Sequence, residues 1–368
     1  MISSDTAAKV QSALPFWISF LLIPAVWLSA IVGGWWVLII PVLAWYLFSA
    51  LDVVGGLNLE NVDPDTADEH LSLYVLLTSL WVPIQFLTIF GLIYYAGQAE
   101  HLGTWEKIGL FFSVGAATGT IGINYSHELM HQKNKRERFL GDALLAMVLY
   151  SHFRSEHLLV HHRYVGTPRD PVTARYGEGF HRYFPRVLRQ CWHSAFGAEK
   201  AMLARKDLPW TDLSNPFFRY WALQVGFIVL AFLLGGVAGI LLFVFQAFIA
   251  IWQLELVNYV EHYGLTRKHL GDGKYEHVQP RHSWNAAHKA SNWMFDQFAA
   301  SLGPSLQTGP PLSTFANLHR GRRAPVAIRL SGDDYGSDVS AFVEEDHEPA
   351  RAAVARDVLS RDHAMACL

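Results

Sequence analysis

Two histidine pairs at helical spacing are the residues of this chain best suited to chemistry. One pair is His127 and His131 in the string H-E-L-M-H, and the other is His157 and His161 in the string E-H-L-L-V-H-H. Residues i and i+4 share one face of a helix, so both imidazoles of a pair can reach one metal ion. His162 follows the second pair directly and can turn to a second ion.

A third element carries one more histidine. It is the string N-Y-V-E-H-Y-G-L from Asn258 to Leu265, which contains Glu261 and His262. One histidine pair on a helix surface is usually not a ligand. Three clusters near the ends of apolar segments predict a metal site, because ionisable groups close to a membrane core are costly and tend to be functional. The remaining candidates are interpreted as polar loop or helix residues: His152, His282 and His288.

The number of imidazoles bears on which metal is bound. The string from His127 to His131 alone matches the H-E-x-x-H pattern of zinc metalloproteases, in which Glu128 would be the general base. Such a site needs two histidines and one further ligand, whereas six imidazoles are available here and suit two ions. Imidazole ligands suit iron, and a pair of irons can activate dioxygen. An intramembrane zinc protease stays open as an alternative.

The elements that must position these histidines are long apolar segments. The chain has 368 residues, of which 51% are apolar and only 17% are charged, against about 25% charged residues in ordinary soluble domains. About 20 apolar residues span a bilayer. The predicted fold is therefore an all-α polytopic membrane protein with six transmembrane helices in three hairpins. The apolar segments are Leu14–Ala50 and Phe217–Leu256, each long enough for two spans, and Leu71–Ala96 and Trp105–Ile123.

Charge fixes the expected orientation and excludes one class of partner. The net charge of −3 leaves no basic surplus for binding nucleic acid. Lys and Arg residues follow the fourth and sixth predicted spans and precede the fifth, and such residues favour the cytoplasmic side. The histidine-bearing segments and both termini are therefore predicted to be cytoplasmic.

The three histidine strings together resemble the boxes of the integral-membrane alkane monooxygenases, which are relatives of the membrane fatty-acid desaturases and hydroxylases. The string from Asn258 to Leu265 is the specific one, because desaturases share the general histidine boxes but not this element. The resemblance runs from about residue 15 to Met294, and we interpret residues 1–294 as one membrane hydroxylase/desaturase-type domain. A fatty-acid desaturase or hydroxylase remains the alternative within this superfamily.

The resemblance implies an activity, a cofactor and partners. It implies terminal hydroxylation of medium-chain alkanes with O2 at two non-haem irons, in a bacterial inner membrane. The alkane would come from the lipid phase, and the electrons from rubredoxin or a ferredoxin. Glu128 and Glu261 become candidate catalytic groups, and Glu156 and Asn258 become candidate partners that orient imidazoles. By the same resemblance the iron ligands are His127, His131, His157, His161, His162 and His262.

The chain departs from the family pattern after Met294. The family carries a further box close to L-Q-R-H-S-D-H-H, and no such string follows here. A back-translation of Phe295 onward, read one base along, gives S-I-N-L-Q-R-H-S-D-H-H. We interpret residues 295–368 as a disordered out-of-frame tail, produced by a one-base insertion or deletion near codon 295. Because three imidazoles are lost, this chain is expected to be weakly active, or an inactive metal-poor remnant.

Resequencing the gene around codon 295 tests this interpretation. We expect a stretch that reads H-S-D-H-H in the next frame. A confirmed trace that still encodes Phe295, Asp296 and Gln297 leaves only a natural mutation as the cause. A stretch that cannot be read as H-S-D-H-H in the next frame contradicts the hypothesis.

Overall fold

The computed structural model describes residues 14–47, 50, 72–278 and 282. Regular structure in these residues is almost entirely helical, and the strands among them form one short antiparallel hairpin, β1 (His269–Gly271) with β2 (Lys274–Tyr275). The all-α prediction is confirmed at the level of a mostly helical chain. The predicted domain boundary at Met294 and the tail 295–368 lie outside the described residues.

Short helical pieces make up the first described segment. They are a 3-10 helix (Leu14–Leu21), helix α1 (Leu22–Val32), a second 3-10 helix (Gly34–Leu38), a short α-helical stretch (Ile39–Pro41) and a π-helix (Val42–Leu47). The chain turns after α1 at Gly33 and Gly34, whose φ angles of 71° and 60° lie in the left-handed region that glycine adopts without steric cost.

The other α-helices begin at residue 72. They are α2 (Ser72–Gln98), α3 (Thr104–Ala117), α4 (Ile123–His131), α5 (Lys135–Met147), α6 (Phe153–Glu156), α7 (Phe180–Ala204) and α8 (Pro216–Glu261). A π-helical turn at Thr118–Gly122 joins α3 to α4, and a second one at His157–His161 follows α6 and leads into a short α-helical stretch, His162–Tyr164. The pair His127 and His131 therefore follows one π-helical turn, and the pair His157 and His161 lies in the other. Such turns are rare in proteins, and a large share of them occur at functional sites.

In the part of the chain that the structure describes, three helical segments are long and apolar enough to cross a membrane: Val75–Gln98, Thr104–His131 and Pro216–Glu261. Two further apolar helical segments, Ser19–Val32 and Gly34–Tyr46, are shorter, at 10–17 residues. The structure thus supports a membrane protein, while six spans in three hairpins remain a prediction.

The 46-residue helix α8 is not straight. Gly236 has a non-helical φ of 60° and ψ of −149°. A side chain at Gly239 would collide with the carbonyl group of Ala231, although eight residues of straight helix span about 12 Å. The chain therefore bends sharply near Gly236, where the sequence predicts a turn between two spans.

Local contacts explain where two of these helices begin. The Glu106 carboxylate accepts the backbone N–H of Gly103 at 2.6 Å and that of Gly34 at 2.5 Å, which ties the start of α3 to the turn after α1. Asn215 caps α8 by accepting the N–H of Phe217 at 3.1 Å, and Pro216 occupies the first helical position, where its missing N–H costs nothing.

The core lies between α1, α2, α3 and α8, and it includes Leu77, Ile89, Leu110 and Phe243, all fully buried. Small residues let α3 approach α8 closely, as is common in membrane helix pairs. A Cβ atom added at Gly115 would lie 2.6 Å from the backbone oxygen of Gln246. This contact fixes the distance between the span that leads to His127 and the span that leads to His262.

Replacing Gly115 by Ala is expected to destabilise the protein in detergent. Overpacking costs about 1–3 kcal/mol, which outweighs the roughly 1 kcal/mol that Ala gains over Gly in a helix. The matched control is Gly97→Ala, because a Cβ atom at Gly97 meets nothing within 4 Å. Thermal unfolding followed by circular dichroism should show a lower midpoint for Gly115→Ala only, and equal midpoints would contradict the packing.

Candidate metal centre

The first histidine pair has the geometry that its spacing predicts. His127 and His131 lie on α4, one turn apart, with ring centroids 4.8 Å apart. His131 is buried, and its Nε2 atom has no hydrogen-bond partner among the described residues. A buried nitrogen without a partner is costly unless something else binds it.

The second histidine cluster pairs differently from the prediction. In the π-helical turn His157–His161 the hydrogen bonds run from i to i+5, so residues five apart align. His157 therefore faces His162, with Nε2 atoms 2.8 Å apart and ring centroids 4.3 Å apart. The centroids of His157 and His161 are 5.3 Å apart. The sequence predicts that His157 pairs with His161 and that His162 turns away. In the structure His162 is the nearer neighbour of His157.

The two segments meet and form a four-histidine set. It comprises His127, His131, His157 and His162, each of which offers one ring nitrogen, and these four atoms lie within 4.8 Å of one another. The Nε2 atoms of His127 and His157 are 2.9 Å apart. Two nitrogens on opposite sides of one ion are about 4.2 Å apart, twice a metal–nitrogen distance of about 2.1 Å. The set fits one metal ion once its widest separation closes by about 0.6 Å and its closest ones, 2.8 and 2.9 Å, open by a few tenths of an ångström.

The other two predicted histidines form a second set. His161 and His262 have ring centroids 4.8 Å apart, and both are buried. Nδ1 of His161 lies 3.1 Å from a carboxylate oxygen of Asp170, which also accepts the hydroxyl of Thr173 at 2.6 Å. A carboxylate on one ring nitrogen fixes the tautomer and leaves the other nitrogen for a metal.

Asp170 was missed in the sequence, since it lies nine residues after His161 in a loop and matches no ligand spacing. A D-P pair marks a turn but not a partner for histidine. Its position beside His161 depends on the fold of residues 164–174, so local spacing gives no signal for it.

The predicted carboxylates lie next to these sets. The Glu128 carboxylate is 3.4 Å from Nδ1 of His127, and that of Glu261 is 4.0 Å from Nε2 of His262. Glu156 is fully buried, and neither of its carboxylate oxygens has a hydrogen-bond partner among the described residues. Asn258 instead donates to Glu255 at 3.3 Å. Glu255 is a buried carboxylate that the sequence analysis did not single out.

Comparison with known proteins agrees with this geometry. The fatty acid desaturase family matches residues 103–303, more than half of the chain. Alkane 1-monooxygenase 2 of Pseudomonas aeruginosa is 33% identical over 284 residues, covering 71% of this chain and 74% of the relative. Alkane 1-monooxygenase of Pseudomonas putida is 33% identical over 286 residues, covering 75% and 70%. Alkane 1-monooxygenase 1 of Alcanivorax borkumensis is 33% identical over 304 residues, covering 78% and 73%.

The chain belongs to the alkane 1-monooxygenase family. The predicted resemblance is confirmed, and so is the assignment to the monooxygenase type of oxidoreductase. Within this chain, the π-helical turn after α6 sorts the proposed ligands into a set of four and a set of two.

Electrostatics also favour a metal at the four-histidine set. Burial, together with the neighbouring imidazoles, holds the pKa of His157 well below its ordinary value and lowers the pKa of His162 to about 3. Both rings are then neutral near pH 7, which is the form that binds metals. His161 differs, because the Asp170 carboxylate overcomes the effect of burial and raises the pKa of His161 to about 9.

Of the other candidate histidines, His152 lies outside both sets. His152 is stacked edge-on against Tyr150, with centroids 4.5 Å apart, and burial lowers its pKa to about 4. His282 lies 3.2 Å from the Glu276 carboxylate, and His288 is outside the described residues. The interpretation of His152 as a helix or loop residue agrees with its packing.

Replacing His162 or His161 by Ala separates the two pairings. In the observed arrangement His162→Ala removes a ligand of the four-histidine set. The affinity for the first Co(II) equivalent should then fall by more than about tenfold. His161→Ala should leave that equivalent bound. Equilibrium dialysis with metal analysis of the full chain measures both. If His161→Ala loses the first Co(II) equivalent and His162→Ala retains it, the pairing of His157 with His161 at i+4 is the correct one.

Proposed function

We propose that this chain hydroxylates the terminal carbon of medium-chain alkanes with O2 at two non-haem iron ions. The observation that carries the proposal is the gathering of six histidines into two neighbouring sets in a chain of the alkane 1-monooxygenase family. Names of relatives supply the substrate class, and the geometry supplies a place for the metals. Imidazole ligands suit iron, although they also suit zinc and copper.

The two sets give the ions unequal sites. The four-histidine set offers four nitrogens to the first ion. The second ion would have His161, oriented by Asp170, and His262, whose Nδ1 atom has no hydrogen-bond partner among the described residues. Since the family's last histidine box is absent from this sequence, the second ion is short of ligands. We therefore propose tight binding of the first ion and weak binding of the second.

Two irons would supply the activation of O2, in which one oxygen atom enters the alkane and the other leaves as water. The residues of the chain bind and orient around that chemistry. Asp170 holds the tautomer of His161, and Glu128 lies against Nδ1 of His127, so each carboxylate sets which ring nitrogen faces the metal.

The reaction needs two electrons from outside, and a cationic surface is available for their carrier. Lys133, Lys135 and Arg136 are exposed and follow directly after His131. Arg138 is less exposed and donates to the carbonyl groups of Gln132 and Lys133 at 3.0 and 2.8 Å. Three exposed cations beside the metal centre suit an acidic donor such as rubredoxin or a ferredoxin.

The alkane would reach the site from the lipid phase, since it has only apolar surface with which to bind. Trp81 is fully buried, and its ring contacts Tyr125, two residues before His127, at a centroid distance of 5.6 Å. Trp35 and Trp36 are 89% and 56% exposed, which suits a membrane interface better than a channel wall. We infer an approach along the buried side of α2 and α3.

Membrane placement is part of the proposal. Bends at Gly33–Gly34 and Gly236 are consistent with three hairpins, hence six spans. The cations after α4 would place the histidine sets on the cytoplasmic face of a bacterial inner membrane.

Product and metal analysis of the full chain in membranes test the function. With a donor system and a medium-chain alkane we expect 1-alkanol at a low rate and about one tightly held iron per chain. Restoring the reading frame after Met294 should raise both. Unsaturated acyl products without alkanol would indicate a desaturase, zinc in place of iron would indicate a protease-like site, and a metal-free chain would indicate a remnant.

A further inference from the structure

A group of four charged side chains lies behind the second histidine cluster. Nη1 of Arg154 in α6 lies 2.9 Å from each carboxylate oxygen of Asp142 in α5. Nη2 of Arg219, in the first turn of α8, lies 2.8 Å from Oδ2 of the same carboxylate. Next to Arg154, the hydroxyl of Ser155 donates to Glu199 of α7 at 2.6 Å. We name Asp142, Arg154, Arg219 and Glu199 the polar clamp.

The polar clamp is electrically balanced, and its central pair, Asp142 and Arg154, is largely removed from water, whereas Arg219 is exposed. Asp142 is 1% exposed and Arg154 is 17% exposed. Two carboxylates face two guanidinium groups, and Glu199 lies close enough to Arg154 and Arg219 to interact with both charges. A buried ion keeps its charge only when partners with good geometry surround it. The positions of four helices are thus coupled through a single carboxylate, Asp142, and its neighbours.

The clamp and the metal centre share one short segment of chain. Arg154 and Ser155 precede His157 by three and two residues, so the clamp holds the first turn of the segment that carries the second cluster. Asp142 lies on α5, which packs on α4 through a 2.9 Å hydrogen bond from Ser126 to the carbonyl of Gly141. Asp142 therefore connects the helix behind His127 and His131 with the helix before His157 and His162.

The geometry points to Asp142 and Arg154 as positioning residues that set the separation of the two halves of the four-histidine set. This inference rests on the proposed metal-binding function. The clamp is needed because a π-helical turn is intrinsically rare and because a metal ion tolerates misplacement of only a few tenths of an ångström. An anchor on α6, immediately before the turn, keeps His157 and His162 facing His127.

Metal affinity and local exchange of the full chain in detergent test the clamp. Arg154→Met keeps the apolar stem and leaves Asp142 paired with Arg219, while Arg154→Lys keeps the charge without the planar fork. We expect the dissociation constant of the first Co(II) equivalent to rise at least about tenfold in Arg154→Met, and partial rescue in Arg154→Lys. In metal-free protein, hydrogen exchange of residues 153–162 should accelerate in Arg154→Met.

Glu106→Gln is the control for a general loss of stability. It weakens two hydrogen bonds at the start of α3, about 30 Å of helix away from His127. Its unfolding midpoint should fall while Co(II) affinity and exchange of residues 153–162 stay at wild-type values. If Glu106→Gln weakens Co(II) binding as much as Arg154→Met does, the effect of Arg154 is only structural and the inference is wrong.

Two outcomes separate this inference from the proposed function. If the wild-type chain binds no Co(II), the proposed metal site is wrong, but the anchoring of residues 153–162 can still be tested. Faster hydrogen exchange of this segment in Arg154→Met would support the anchoring, and unchanged exchange would refute it. If Arg154→Met does not fold, Asp142→Asn replaces it, because the amide keeps the shape of the side chain and removes the charge that pairs with Arg154. Wild-type affinity and exchange in the folded variant would overturn the inference.

Discussion

The contact between His157 and its neighbours from two directions is the constraint on which the site depends. Its Nε2 atom lies 2.9 Å from that of His127 and 2.8 Å from that of His162. Ring nitrogens at such distances either form N–H···N hydrogen bonds between neutral imidazoles or share a metal ion, since burial disfavours imidazolium. Three features hold α4 and the π-helical turn at the distance that this contact needs. They are the close approach of α3 to α8 at Gly115, the packing of α5 on α4, and the polar clamp behind α6.

The π-helical turn also explains why six histidines form two unequal sets. With one extra residue in the turn, His162 points toward His157, and His161 points toward His262 and Asp170. The first set is complete with four imidazoles from two segments. The second set has two imidazoles, and the family's last box, which the resemblance implies would add more, is missing from the sequence after Met294. The proposed unequal binding of two ions rests on this difference.

Regular periodicity was predictable from the sequence, and long-range contacts were not. His127 and His131 lie on an ordinary α-helix, so the i+4 rule gives their pairing correctly. The turn after α6 differs from an α-helix by a shift of one hydrogen bond, for which the string E-H-L-L-V-H-H carries no signal. Asp170, Asp142 and Arg219 act on residues that are distant in sequence or in another helix. Their roles depend on tertiary packing, which overrides local propensity. Apolar length predicted six spans; among the described residues three helical segments are long and apolar enough to cross a membrane, and the N-terminal pieces are shorter.

X-ray absorption of the full chain loaded with one equivalent of Fe(II) tests the central claim most directly. The claim predicts scattering from about four imidazole nitrogens around a single iron. A shell dominated by carboxylate or water oxygens, with at most one or two imidazoles, would contradict the convergence of His127, His131, His157 and His162 on one ion.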